Sequence, residues 1–306
     1  MQSQSSKSGV VYAAIAYVMW GILPLFWNLL GEIDAGHLLA HRIVWSFVTM
    51  ILVVLLLGKI RPFFKQIKDL FSDKRAFWGL FAASLTVSLN WLVFIWAVNS
   101  GHVLQSSLGY YINPLISILL AMIVLKEKST RLQIVSFILA ALGVIYLTFS
   151  YGVFPWVSFL LAISFAVYGL LKKVVTIPPM FGLTIETMFV TPLAILYLLF
   201  VPAAHSDPIP TGTAIILFLS GAATAAPLLL FAHGARRLSL TQIGLLQYIG
   251  PTLMLLLGVT LFGEAFTHAH LIAFSCIWGA LVLYTISGIR LKRLTTKQLK
   301  QAQTVK

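Results

Sequence analysis

Long apolar runs with almost no charge dominate this chain and leave few folds open to it. Those at 45–57, 77–98, 183–201 and 271–287 approach or reach the roughly 20 residues a helix needs to cross the hydrocarbon of a bilayer. In lipid every backbone N–H and C=O must be paired inside the chain, so apolar runs of this length read as continuous helices. A transmembrane β-barrel would show segments of about ten residues with alternating polarity, and the sequence has none. Composition agrees: 59% of residues are hydrophobic and 9% charged, against about 25% charged in a soluble domain. The expected fold is an all-α membrane protein of about ten transmembrane helices. They are read at 10–29, 40–57, 77–98, 103–125, 132–149, 153–171, 182–201, 212–232, 240–262 and 268–288.

The net charge of +13 could suggest a nucleic-acid surface, but its placement reports topology instead. Alternate connections collect Lys7, then Lys59, Arg61, Lys65, Lys68, Lys74 and Arg75, then Lys126, Lys128 and Arg131. Lys172 and Lys173 follow, then Arg236 and Arg237, and last Arg290, Lys292, Arg293, Lys297, Lys300 and Lys306. Of the 21 basic residues only Arg42 falls elsewhere. The positive-inside rule makes the basic side cytoplasmic, with both termini on it. The opposite connections carry Glu32, Asp34, Asp207 and Glu264 and no Lys. The short tail before the first span has no small-residue cleavage site, so that span reads as retained. The single cysteine, Cys276, lies in the last span and is assigned no disulfide, redox or metal role.

A repeat organises these spans. Under a shift of 137 residues, Tyr111-Ile112-Asn113-Pro114 meets Tyr248-Ile249-Gly250-Pro251. Glu127 and Thr130 meet Glu264 and Thr267, and Phe94 meets Phe231. After a gap, Trp20-Gly21 also meets Tyr168-Gly169. Each unit holds five helices, an odd number, so the second copy enters the membrane upside down. The expected division is 1–149, 150–289 and a basic cytoplasmic tail at 290–306. Inverted repeats of this kind recur in secondary transporters, with the solute site near the midplane between them.

Several segments carry a family resemblance: Ala16-Tyr17-Val18-Met19-Trp20-Gly21 with Pro24, His41-Arg42-Ile43-Val44-Trp45-Ser46, and Asn90-Trp91 with Phe94 and Trp96. Others are Ser107-Leu108-Gly109-Tyr110-Tyr111-Ile112-Asn113-Pro114, Gly182-Leu183-Thr184-Ile185-Glu186-Thr187 and Gln247-Tyr248-Ile249. With these the two units resemble paired EamA domains of the drug/metabolite transporter superfamily, and within it the RarD subgroup. The resemblance implies a ten-helix carrier of the cell (inner) membrane and does not supply a substrate.

Ionisable groups inside a bilayer are costly and mark candidate sites. Arg42 opposes the charge bias, which suggests function or an internal ion pair. Its alternative is to snorkel to outer headgroups. It shares a helical face with Trp45 and Ser46. Glu186, one turn inside the seventh span, has three readings: proton coupling, a substrate or structural contact paired with Lys172 or Lys173, and simple capping of the helix start. Glu127 and Glu264 stand before the next helix and read as architectural, with Thr130 and Gln133 spaced as a capping box.

The candidate substrate-lining set is Trp20, Arg42, Trp45, Asn90, Phe94, Tyr111, Asn113, Tyr168, Glu186, Gln247 and Tyr248. Aromatic walls with a few polar points are how small-molecule sites are usually built, though membrane packing uses the same residues. Tyr17 and Pro24 share the face of Trp20. Matched prolines, Pro114 and Pro251, would kink both units. His205 and Asp207 read as an exposed loop. No phosphate loop or hydrolase motif is present, and no catalytic residue, cofactor or metal is expected.

The sequence therefore reads as a secondary transporter, an exporter of a small amphipathic metabolite or drug-like solute. Arg42 would anchor an anionic group. A nucleotide-sugar or sugar-phosphate carrier, an intramembrane enzyme and a scaffold are the alternatives. The expected partners are a small-molecule substrate and the lipid bilayer, not nucleic acid; a homodimer is compatible with the pattern.

Overall fold

The computed structural model describes residues 2–99, 103–150, 152, 156–202, 210–261 and 267–304. His205, Asp207 and Glu264 lie outside these residues. Among the described residues twelve helices follow one another: α1 (Gln2–Asn28), α2 (Ala35–Leu56), α3 (Ile60–Ser72), α4 (Lys74–Asn99), α5 (Val103–Ile123), α6 (Arg131–Ser150), α7 (Trp156–Val174), α8 (Pro179–Phe200), α9 (Thr211–Ala235), α10 (Leu240–Leu246), α11 (Ile249–Thr260) and α12 (His268–Thr304). Among the described residues, nine helical stretches are long and apolar enough to cross a membrane, and Leu108–Ile123 adds a shorter one. Large apolar side chains on their outer faces remain bare, such as Leu56 at 84%, Phe149 at 80% and Phe200 at 77% exposure. A surface of that kind is stable only against lipid. The chain is a multi-pass membrane protein.

Two features depart from the reading of ten spans joined by loops. The 58–76 connection is not a plain loop, because it contains α3. The ninth span is broken into α10 and α11 at Gln247 and Tyr248. Pro251 explains the break: it has no N–H to give the carbonyl four residues earlier, and its ring crowds that carbonyl. The turn is closed instead by Gly250 N–H donating to Gln247 O at 3.2 Å.

The helix ends define two ends of the bundle. The one where α1 starts, α2 ends and α7 ends gathers the basic residues; the other has α1's end, α2's start and α4's end. Asp34 caps α2 at the second end, accepting from Gly36 N and His37 N. The ring of His37 donates to the same carboxylate, and this hydrogen bond holds the Asp34 carboxyl below its usual value.

Packing displays the inversion. Helix α1 lies on α9 as α7 lies on α4, and α1 lies along α10 and α11 as α7 lies along α5. Helix α2 meets α9 as α8 meets α4, while α2 with α8 and α6 with α12 form self-matched pairs. The main interfaces all cross between repeats, so the two units are interlaced rather than set side by side. Small residues allow this closeness. A Cβ on Gly221 of α9 would fall 2.2 Å from the Trp45 carbonyl oxygen of α2, and one on Gly143 of α6 would fall 2.9 Å from the Ala273 oxygen of α12.

Glu127 is architectural, though not at the helix that follows it. Its carboxylate reaches into the other repeat and accepts from Leu240 N at 2.8 Å, Thr241 N at 3.2 Å and the Thr241 hydroxyl at 2.8 Å. Helix α6 is capped by Thr130 and Gln133, which exchange hydrogen bonds at 2.8 and 3.2 Å.

Candidate functional site

A cavity of about 120 Å³ lies between the repeats. A cavity of roughly 150 Å³ holds a benzene ring, so the space takes a group of about that size. Helix α1 contributes Tyr17, Trp20, Leu23, Pro24 and Trp27 at helical spacing, and α4 contributes Asn90, Trp91 and Phe94. Gly109, Tyr110 and Asn113 come from α5, Leu161 and Phe165 from α7. The broken ninth span adds Gln247, Gly250, Pro251 and Met254. Tyr110 and Asn113 occupy the positions that Gln247 and Gly250 take under the 137-residue shift, so both repeats turn the same face inward.

Arg42 is the cation of this cavity. It lies seven residues into α2, roughly 10 Å from the helix start at 1.5 Å per residue. The side chain is buried at 8% exposure. Its guanidinium stands 4.1 Å from the centroid of Trp27 and 5.3 Å from that of Trp91. Nε donates to Thr224 Oγ1 of α9 at 3.3 Å. Among the described residues no carboxylate lines the cavity or pairs with this cation. Arg42 therefore neither snorkels nor sits in an internal ion pair; aromatic faces and one hydroxyl hold it. Cation–π attraction strengthens when the cation is desolvated.

The amides are oriented from behind. Asn90 Nδ2 donates to Leu161 O and to Ser164 Oγ, both at 2.9 Å, which leaves its Oδ1 for the cavity. Ser117 donates to Gln247 Oε1 at 3.1 Å, with Asn113 Oδ1 sharing the same hydrogen at 3.5 Å, which leaves amide N–H groups to offer. The buried Tyr17 hydroxyl stands beside Gln247.

Of the residues singled out in the sequence, Trp20, Arg42, Asn90, Phe94, Asn113 and Gln247 line this one cavity. Trp45, Tyr111, Tyr168, Glu186 and Tyr248 do not line it. Trp45 packs on Phe218 of α9 at 5.1 Å. The Tyr111 hydroxyl donates to Pro251 O at 3.3 Å, and its ring meets Phe274. Tyr248 is buried within the cluster of α5, α6 and α12 side chains, its hydroxyl without a partner among the described residues. Glu186 is 1% exposed and pairs with Lys172 Nζ at 2.6 Å, while the Tyr168 hydroxyl donates to its other oxygen at 3.1 Å. Missed by sequence reasoning were Trp27, Trp91, Tyr110, Phe165 and Thr224. Trp27 stands seven residues after Trp20 on one face, and Tyr110 is the repeat partner of Gln247; either signal could have found them.

Below the cavity, toward the basic end, the rings close up. Trp20 meets Phe165 at 5.4 Å and Phe231 at 5.6 Å, and Tyr17 meets Phe231 at 6.1 Å. Tyr168 stacks on Phe231 at 5.9 Å and 20°. Past this cluster lies the Lys172–Glu186 pair, beside a void of only about 10 Å³.

Residues 7–149 and 155–286 each match the EamA-like transporter family. The chain belongs to the EamA-like transporter family. Within this drug/metabolite transporter superfamily it falls in the RarD subgroup. This EamA-like transporter is 48% identical over 296 residues to the uncharacterized transporter YojE of Bacillus subtilis, covering 96% of this chain and 98% of that one. It is 37% identical over 300 residues to protein RarD of Escherichia coli, covering 97% and 100%. A chloramphenicol-sensitive protein RarD of Pseudomonas aeruginosa is 29% identical over 293 residues, covering 94% and 97%. One crystal structure superposes with a TM-score of 0.69 at 18% identity, covering 91% of this chain and 98% of its own; the likeness is one of fold.

Proposed function

We propose that this EamA-like transporter is a secondary carrier that exports a small amphipathic solute bearing an anionic group, by alternating access across the cell membrane. In this reading the basic end faces the cytoplasm with both termini. The observation that carries it is a difference between repeat-matched aromatic pairs. Trp20 and Phe94 both line the cavity, in the half of the bundle toward the end poor in basic residues, without stacking on each other. Their counterparts Tyr168 and Phe231 stack on each other and fill the equivalent place toward the basic end. A twofold-related pair that is apart at one end and closed at the other is what an inverted repeat gives when it rests in one of two exchangeable states. Because the repeats interlace, the moving bodies combine helices of both.

Arg42 supports the anionic preference. A buried cation is costly without an opposite charge, and in this cavity that charge would come with the solute. Aromatic walls suit an apolar body and the amides suit its polar points. A nucleotide-sugar or sugar-phosphate cargo fits less well, because the lining offers one cation and room on the scale of one ring. Glu186 is the group assigned to proton exchange, with Lys172 holding its charge when ionised. Among the described residues the cavity lining comes from one chain, so the reading takes the single chain as the transporting unit.

The test is flux into reconstituted vesicles of known orientation, using a metabolite panel of matched acids and neutral amides. Acids should move, Arg42→Ala should abolish their flux, and Glu186→Gln should remove its dependence on a pH gradient. Wild-type flux in both variants at every pH would overturn both assignments.

A further inference from the structure

We propose that α3 is an interfacial helix that binds the headgroups of anionic phospholipids at the basic end of the bundle. At 100° per residue its thirteen residues divide into three adjoining sectors. Phe63 and Leu70, at 3% and 2% exposure, face the bundle. There they pack with Val54, Leu80, Phe181 and Ile185, and the rings of Phe63 and Phe181 lie 5.8 Å apart. The next sector holds Ile60 and Ile67 and, fully outward, Phe64 at 63% and Phe71 at 68% exposure. The third holds Arg61, Lys65 and Lys68, all exposed.

An apolar sector flanked on one side by protein and on the other by cations fits one place, the boundary between acyl chains and headgroups. The helix follows the end of α2, where Leu56 and Leu57 are bare at 84% and 59%, and precedes α4, where Trp78 is 62% exposed one turn in. Trp at that depth is an interfacial anchor. Length agrees, since thirteen residues extend roughly 20 Å, too short to span and suited to lying flat.

Charge selects the lipid. Lys59, Lys74 and Arg75 add to the three cations of α3, and among the described residues none of the six forms an ion pair. Of the two acids in this stretch, Asp73 accepts from Ala76 N at 3.0 Å at the start of α4. Asp69 is on the helix side away from the phenylalanines. Basic residues beside a membrane surface gain chiefly when its headgroups are anionic. The helix also contacts α2, α4 and α8, so headgroup binding would bear on both repeats at the closed end, one residue from Glu186 through Ile185.

The lipid assignment stands apart from the transport reading and is tested without a substrate. Hydrogen exchange of the full chain is followed in nanodiscs of phosphatidylcholine alone and with phosphatidylglycerol added. Amides of 60–72 should exchange several-fold more slowly with phosphatidylglycerol, while those of α7 stay unchanged. The variant Arg61→Gln/Lys65→Gln/Lys68→Gln should lose that difference and keep the phosphatidylcholine rate. Phe64→Ser/Phe71→Ser should exchange faster in both lipids. Equal rates in both lipids for the wild type, or a lipid effect that survives the charge variant, would overturn the assignment. So would protection that depends on protein concentration, which would mean a second copy covers the helix.

Discussion

The guanidinium of Arg42 lies 4.1 Å from the Trp27 ring, while its Nε reaches Thr224 on the other repeat at 3.3 Å. One cation thereby ties α1, α2 and α9 together at the cavity wall. Arg42→Gln should abolish binding of an aromatic carboxylate, followed by quenching of the cavity tryptophans. Thr224→Val removes one hydrogen bond to a charged group, in the range of about 1.5–3 kcal/mol, and should weaken that binding by roughly 10- to 100-fold. Wild-type affinity in Arg42→Gln would remove the cation from the recognition scheme.

Lys172 and Glu186 form a pair whose side chains are 6% and 1% exposed. Breaking such a pair leaves a charge in apolar surroundings and costs about 3–5 kcal/mol, whereas replacing both partners is often nearly neutral. Lys172→Met should lower the thermal unfolding midpoint in detergent sharply. Adding Glu186→Gln should recover most of the loss, since the amide can still accept from Tyr168. If the double variant is as unstable as the single one, the pair's charge is not what Lys172 balances.

Glu127 fastens one repeat to the other by accepting from the first amides of α10. Loss of a capping side chain costs about 0.5–2 kcal/mol. Glu127→Ala should raise hydrogen exchange at 240–243 and leave 131–134 unchanged, while Thr130→Ala should do the reverse. Protection of 240–243 in Glu127→Ala would assign the cap to Ser239 alone, which also accepts from Gln242 N at 3.1 Å.

The spans were legible because lipid allows only long uninterrupted apolar helices, and the repeat because Tyr111 and Tyr248, like Pro114 and Pro251, keep their spacing. Interlacing of the repeats was not, since it depends on which helices touch. Helix α3 was hidden by its cations: the apolar period at 60, 63, 64, 67, 70 and 71 is present, but six basic residues at 59–75 read as a cytoplasmic loop. The cavity was half legible. Arg42, Asn90 and Gln247 stood out as polar groups in apolar runs. Trp27 and Trp91 look like ordinary span aromatics until Arg42 is seen between them. Tyr111 and Tyr248, singled out by the repeat, spend their rings on packing.

Gly221 sets the spacing on which the Arg42 site depends. A Cβ there would lie 2.2 Å from the Trp45 carbonyl oxygen and 2.3 Å from its carbon. Backbone cannot rotate aside as a side-chain tip can, so Gly221→Ala must push α2 from α9. Trp45 is three residues beyond Arg42 on α2, and Thr224 is three beyond Gly221 on α9. The same displacement therefore stretches the Arg42–Thr224 hydrogen bond and weakens the Ser46 bond to Gly221 O, already 3.4 Å. Overpacking of this kind costs about 1–3 kcal/mol. Gly221→Ala should lose stability and affinity for the aromatic carboxylate together. Gly212→Ala, on the same helix with nothing within 4 Å of the new carbon, should lose neither. A Gly221→Ala protein that is destabilised yet binds as the wild type would show that Arg42 is held by its tryptophans without help from α9.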